Sequence, residues 1–245
     1  MSFRVERAGR FAQEALAAGP GEVCAAFRRS FYLRLPGERY ACVGDASLGC
    51  GPLNALVREV EIPALGTRVA LDAQSAEPWR PPSSLGPIDL ARVREAARAR
   101  VPAEGLGCLL LGKHNGLSSH AQPALEALER WLVGNALGAE AEQLIGLGPG
   151  LTPSGDDYLG GMLVALRLGG RGMQADGLWR WLEPRLGART SAISAAHLAA
   201  AAAGEAHEAL HAVLNGSLEL DRLDAVGHCS GWDALAGAAA ALRSY

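Results

Sequence analysis

The sequence predicts an α+β protein, with a β-rich N-terminal part that forms a small barrel or curved sheet and a mainly helical C-terminal part. Strand-like apolar runs separated by turn residues lie before residue 75, whereas helical patterns dominate after about residue 120. Residues 75–88 are rich in proline and serine, as in a linker or long loop. We therefore expect three segments. They are a β-rich subdomain (1–75), a linker with a connecting helix and strand (76–120), and a helical subdomain (121–245).

The N-terminal segment is expected to begin with a short helix in residues 3–17, which ends before Gly19-Pro20. The strand-like runs 23–35 and 40–43 flank Pro36-Gly37-Glu38-Arg39, and this spacing is typical of a β-hairpin. Two further apolar runs, 56–62 and 67–71, predict strands.

Helical patterns account for most of the remaining chain. Residues 89–100 predict a helix capped by Asp89, and residues 106–111 predict a short buried strand or an apolar turn. The later helices are expected at 122–136, 139–145, 155–168, 174–186, 190–203, 205–214 and 231–243.

Composition excludes several functional classes. The 245 residues carry a net charge of −3, so no basic surface for nucleic acid or an anionic membrane is indicated. The N-terminus has charges where a signal peptide is apolar, and no run is long enough to cross a bilayer. The five cysteines include no Cys-x-x-Cys pair, which favours reduced thiols in the cytoplasm.

Residues 146–161 form the most informative motif, a run of glycines with two prolines, Thr152, Ser154 and two aspartates, placed before an apolar helix. Gly148, Gly150 and Gly155 permit close approach of a ligand to the backbone. We expect Ser154 to cap the helix, so that the following amides face the loop. A helix start of this kind is a natural site for an anion.

Asp156 and Asp157 qualify this expectation, because two carboxylates would repel a bare phosphate. Three interpretations remain open: the pair binds Mg²⁺, accepts N–H bonds from an amide or ureido substrate, or complements the helix dipole. Magnesium is the one cofactor that the motif suggests, and no metal ligand is assigned firmly.

The motif is repeated near the C-terminus. Residues 154–167 and 230–243 align without gaps, and eight of fourteen positions are identical. The repeat retains Asp157 as Asp233 but replaces Asp156 with Trp232. We expect the two helix starts to converge on one polar site; the alternative is two similar capped helices that never meet.

These motifs define the candidate site residues. Three are candidate catalytic groups, Asp157, Asp233 and His228, the last because it precedes the repeat. Lys113 is the only lysine among 23 basic residues and lies in a glycine-flanked loop, so it is a candidate anion ligand, although a chance position on a solvated loop is the simpler explanation. The candidates for binding substrate or an anion are Gly148, Gly150, Thr152, Ser154, Gly155, Asp156, Ser230, Gly231 and Lys113.

His207-Glu208-Ala209-Leu210-His211 matches the zinc-protease pattern H-E-x-x-H. No third ligand follows at the usual spacing. We therefore reject a metallopeptidase and expect both histidines on the polar side of an amphipathic helix.

The segments 148–157 and 227–237 resemble the AllH (YlbF) family, and weaker similarity extends to 48–53 and 193–204. Cys50 and Cys229 depart from the family pattern, where Asn and Ser are expected. The resemblance implies a subunit of oxamate carbamoyltransferase, beside AllF (FdrA)-like and AllG-like subunits. That system interconverts oxalurate plus phosphate with oxamate plus carbamoyl phosphate, so a small anionic or ureido ligand is implied. Two alternatives stay open, a non-catalytic scaffold or regulatory subunit and a stand-alone Mg-dependent phosphate-ester or anhydride enzyme.

Overall fold

The N-terminal unit is a closed six-stranded barrel that carries one extra strand. The computed structural model describes residues 2–243, and the chain divides into two units, 1–81 and 82–245. The elements of the first unit are β1 (Ser2–Gly9), α1 (Arg10–Leu16), β2 (Gly21–Ala26), β3 (Ser30–Leu35), β4 (Arg39–Gly44), β5 (Asn54–Val57), β6 (Arg68–Asp72) and β7 (Glu77–Trp79).

Strand β1 closes the barrel because it pairs with both ends of the sheet. The sheet order is β5-β4-β3-β2-β6-β1-β7, and β1 also pairs with β5 in antiparallel register, with Val5 opposite Val57. Inward-facing apolar side chains, including Phe31, Leu33 and Val69, fill the barrel. The predicted β-rich N-terminal part is therefore confirmed.

Residues 3–9 are a strand, so the prediction of one helix over 3–17 was wrong. Phe3 and Val5 alternate with charged residues, which is a period of two rather than a helical period, and β1 gains its hydrogen bonds from β5, β6 and β7 far along the chain. The helix begins only at Arg10. The predicted run 23–35 is in fact two strands, β2 and β3.

The hairpin at residues 36–39 is confirmed, since β3 and β4 pair with Leu35 opposite Arg39. Gly37 and Glu38 both have positive φ, at 77° and 54°. The strand expected at 56–62 is displaced to Asn54–Val57, and β7 occupies part of the predicted linker.

The second unit is helical. Its helices are α2 (Leu90–Ala97), α3 (Gly116–His120), α4 (Gln122–Leu132), α5 (Ser154–Leu168), α6 (Gly172–Arg189), α7 (Ala192–Ala202), α8 (Glu208–Leu214), α9 (Asp221–Asp224) and α10 (Ser230–Arg243). Residues 107–111 and 139–144 form 3₁₀ turns, so the first is the apolar turn and the second replaces a predicted α-helix. No helix among residues 2–243 is long and apolar enough to cross a membrane.

Helices α5 and α10 form the centre of this unit and are buried along most of their length. Gly161 packs on Ala234, and Gly237 packs on Tyr158. One turn earlier, Asp157 contacts Ser230 and Asp233 contacts Ser154. These contacts advance in step along both helices, so the helices run in the same direction and begin side by side.

Candidate functional site

The starts of α5 and α10 meet, as the sequence repeat predicts. The hydroxyl groups of Thr152 and Ser230 lie 3.1 Å apart. Ser154 and Ser230 are the first residues of their helices. Pro153 occupies the cap position of α5, and no side chain there caps the helix. The expectation that Ser154 is the N-cap was therefore wrong by one position.

The two helix starts exchange serine–aspartate hydrogen bonds. Asp157 of α5 accepts from Ser230 of α10 and from Thr152. Asp233 of α10 accepts from Ser154 of α5. Each aspartate lies three residues after the serine of its own helix, so the exchange follows the pseudo-twofold symmetry of the repeat. We call these four residues with Thr152 the paired helix start.

Asp233 also holds the loop that precedes the 3₁₀ turn at residues 107–111. Its Oδ1 accepts from the backbone amides of Leu106 at 2.6 Å and Gly107 at 2.8 Å. Gly105 has a φ of +73°, and a Cβ atom there would lie 2.6 Å from Asp233 Oδ1. Only glycine therefore allows this loop to approach the carboxylate so closely.

Burial raises the pKa of both Asp157 and Asp233. Desolvation, followed by the charges of Asp233 and Asp156, raises the pKa of Asp157 well above its usual range, against the opposing hydrogen bonds. Desolvation also raises the pKa of Asp233 to about 6. Asp157 Oδ2 and Asp233 Oδ2 are shielded from solvent and lack a hydrogen-bond partner among the described residues. Burial therefore disfavours the ionised form of both carboxyl groups in the paired helix start.

Asp156 is bonded elsewhere. Its Oδ1 accepts from the amide of Gly146 at 2.8 Å, and its Oδ2 accepts from the hydroxyls of Thr190 and of Ser194, the latter at 2.6 Å. Asp156 is 2% exposed. It thus ties the glycine-rich loop to the start of α7, and both of its oxygens are already used within the chain.

The amides at these helix starts are also used within the chain. Gly155 N–H donates to Leu147 O at 2.9 Å, and the amides of Asp156 and Asp157 donate to Pro153 O. At α10, Gly231 N–H donates to Val226 O, and the next two amides donate to Cys229 O. The first three amides after each starting serine therefore donate to carbonyl groups of the chain itself.

The glycines of the motif serve close packing. A Cβ atom at Gly155 would lie 2.0 Å from Leu144 O, and one at Gly231 would lie 2.6 Å from Leu223 O. Gly148 has a φ of +108° and packs on Ser154, whereas Gly150, at +97°, faces open space. At Gly150, glycine is therefore favoured by the backbone conformation alone and not by close packing.

His228 and Cys229 directly precede α10 in the chain, whereas Lys113 lies in the loop after residues 107–111. His228 Nε2 and Glu104 Oε2 lie 2.6 Å apart, and these side chains are 79% and 74% exposed. Burial, then the charges of Asp233, Glu104 and Asp157, raises the pKa of Cys229 to about 11, which makes it a poor nucleophile at neutral pH. Lys113 is exposed.

The H-E-x-x-H pattern does not form a zinc-binding helix face. His207 precedes α8 and caps it, because its Nδ1 accepts from Ala209 N–H at 3.1 Å. His211 is 2% exposed, and its Nε2 accepts from Ala206 N–H. The rejection of a metallopeptidase stands, but the expected position of both histidines on a polar helix face was wrong.

Sequence reasoning missed three residues around the site. Thr190 and Ser194 were not among the candidate site residues, and only the structure pairs them with Asp156. Glu104 carried no motif, and it reaches His228 from 124 positions earlier in the chain. Contacts of this range leave no local pattern in the sequence.

The second unit is thus a helical unit centred on two parallel helices that exchange serine–aspartate hydrogen bonds. The family described as oxamate carbamoyltransferase subunit AllH matches residues 144–242. The interval includes the glycine-rich loop, α5 and nearly all of α10, and covers less than half of the chain. The resemblance of these motifs to AllH is thereby confirmed. No curated protein and no solved structure matches the chain.

Proposed function

We propose that this chain is a subunit of a cytoplasmic carbamoyltransferase assembly that interconverts oxalurate plus phosphate with oxamate plus carbamoyl phosphate. The family match carries the proposal, because its interval contains both Ser-Gly-x-Asp segments. AllF (FdrA)-like and AllG-like subunits are the proposed partners. The five cysteines form no disulfide within residues 2–243, which supports a reducing compartment.

In this proposal the paired helix start binds the carbamoyl or ureido end of the substrate. Such a group offers N–H donors and one carbonyl oxygen. Asp157 and Asp233 each have one carboxylate oxygen without a partner. The carboxylate of Asp233 accepts the N–H bonds. The carboxyl group of Asp157, whose protonated form is favoured by burial, donates to the carbonyl oxygen, where negative charge develops during transfer.

Phosphate is assigned to a different part of the assembly. The amides that were expected to bind it are occupied, and two carboxylates at the paired helix start oppose its charge. We therefore assign the phosphate-binding groups to the partner subunits, with Lys113 as the candidate from this chain. Asp156 does not fit a magnesium ligand, because its two oxygens accept three hydrogen bonds.

A non-catalytic scaffold is the second candidate function, and one observation favours it. Both unpartnered oxygens are shielded from solvent, and the remaining polar atoms of the paired helix start bond to one another. In that case the exchanged bonds fix the α5–α10 pair, and the chemistry belongs to other subunits.

The test reconstitutes the chain with its AllF-like and AllG-like partners. Carbamoyl phosphate consumption with oxamate is measured for the wild type, Asp157→Asn and Asp233→Asn, with the exposed Asp221→Asn as the control. We expect Asp157→Asn to lose about 100-fold in rate while the complex still assembles, and Asp221→Asn to match the wild type. Unchanged rates in every variant would favour the scaffold function. Activity of the isolated chain would favour the stand-alone enzyme.

A further inference from the structure

Three potential metal ligands meet beside the start of α10. The ligand atoms of Glu104, His228 and Cys229 all lie within 4.8 Å of one another. They supply one carboxylate oxygen, one imidazole nitrogen and one sulfur. The histidine and the cysteine precede α10 directly, whereas the glutamate comes from the loop before the first 3₁₀ turn.

The backbone that carries these ligands is fixed by hydrogen bonds to two side chains, Asp233 and Asn115. Asp233, one turn into α10, accepts from the amides of Leu106 and Gly107, just after Glu104. The side-chain amide of Asn115 donates to the carbonyl oxygens of Ala103 and Gly105, on either side of Glu104. The two ligand-bearing segments are therefore held together independently of any contact between the ligand side chains, as in a preorganised metal site.

An exposed ion pair between His228 and Glu104 is the simpler explanation, and such a pair contributes little to stability. Two observations go beyond it. The first is Cys229, a third donor of a different type within the same cluster. The second is Asp233 Oδ2, which is buried without a partner: this atom and Cys229 Cβ both lie within 3.0 Å of the point where a Gly105 Cβ would stand.

We propose that Glu104, His228 and Cys229 bind a zinc ion and leave its fourth position open. Thiolate, imidazole and carboxylate together favour zinc over magnesium or calcium, which prefer oxygen ligands. Tetrahedral zinc with bonds of about 2.0–2.3 Å keeps its ligands roughly 3.3–3.7 Å apart, which the two exposed side chains reach by rotation. Binding releases the Cys229 thiol proton to solvent.

Asp233 borders both this metal site and the proposed substrate site. The test of the metal site requires no activity, so its outcome is separate from that of the carbamoyltransferase proposal. The full-length chain is freed of metal with a chelator and titrated with Co²⁺ alone, and then with Zn²⁺ as competitor. We expect one Co²⁺ per chain, a thiolate-to-cobalt charge-transfer band and tetrahedral d–d bands, all removed by one equivalent of Zn²⁺.

Variants locate the ion. Cys229→Ser should abolish the charge-transfer band, and His228→Gln and Glu104→Gln should weaken binding by about tenfold or more. Because His228 and Glu104 are exposed, these two variants retain the fold, which circular dichroism checks. Cys24→Ser and His207→Ala are the controls and should bind like the wild type. Absence of stoichiometric Co²⁺, a charge-transfer band that survives Cys229→Ser, or one that is lost in Cys24→Ser would overturn the proposal.

Discussion

Gly161 and Gly237 occupy equivalent positions of the two repeats, and each lies against the backbone of the other helix. A Cβ atom at Gly161 would stand 1.8 Å from Ala234 O, and one at Gly237 would stand 1.9 Å from Tyr158 O. The two glycines thus set the distance between α5 and α10. That distance in turn brings Ser154 within reach of Asp233 and Ser230 within reach of Asp157.

Gly161→Ala is expected to lower the free energy of unfolding by at least about 2 kcal/mol, because the new methyl group meets a carbonyl oxygen that cannot move without separating the helices. Gly160→Ala is the matched control. Its nearest neighbour would be 3.7 Å away, so the higher helix propensity of alanine should leave stability equal or raise it by up to about 1 kcal/mol. Urea unfolding measures both, and equal loss in both variants would contradict the assigned role.

Asp156→Asn is expected to cost about 1.5–3 kcal/mol of stability, since the carboxylate accepts bonds from Gly146, Thr190 and Ser194 in a buried position. A contribution to the helix dipole alone would amount to about 0.3–1 kcal/mol. Thermal and urea unfolding distinguish these magnitudes, with Asp221→Asn as the exposed control. A loss below about 1 kcal/mol would leave Asp156 as a dipole partner only.

Local signals in the sequence were sufficient for part of this structure. The hairpin turn at Gly37 and Glu38, the cap of α2 at Asp89 and the two central helices follow from residues close together in the chain. The strand β1 does not, because its partners β5, β6 and β7 lie far along the chain.

The candidate site likewise contains features that the sequence predicted and features that depend on contacts far along the chain. The repeat predicted that the helix starts of α5 and α10 meet, since two copies of one pattern favour symmetric packing. It did not predict the use of their amides, because the acceptors Leu147 O and Val226 O belong to irregular loops. It also treated Asp156 and Asp157 as one pair, whereas the fold gives them separate partners.

Asp157→Asn is expected to change stability at pH 7 by less than about 1 kcal/mol, in contrast with Asp156→Asn. Burial raises the pKa of Asp157 well above its usual range and so disfavours its charged form, and asparagine is a neutral side chain of the same size. The measurement is the urea midpoint of both variants in one buffer. A loss for Asp157→Asn as large as that for Asp156→Asn would show that Asp157 is ionised and bonded as a charge.

Stability should also depend on pH through His211. Burial, with a smaller effect of the His207 charge, lowers the pKa of His211 from 6.5 to about 4 in the folded chain. The folded state therefore holds a neutral imidazole, whose Nε2 accepts from Ala206 N–H. The unfolded chain binds this proton near pH 6.5. The contribution of His211 is thus fully present above that pH and is lost as pH falls towards 4, by an amount of the order of 3 kcal/mol.

His211→Gln tests this contribution, because glutamine places an acceptor near the position of Nε2 but does not titrate. We expect the free energy of urea unfolding to fall less steeply between pH 7 and pH 4 in this variant than in the wild type. His120→Gln is the control, since His120 is exposed and should leave the wild-type slope unchanged. Parallel pH profiles for wild type and His211→Gln would mean that His211 is not held neutral by burial, and the pH dependence would then arise from other groups.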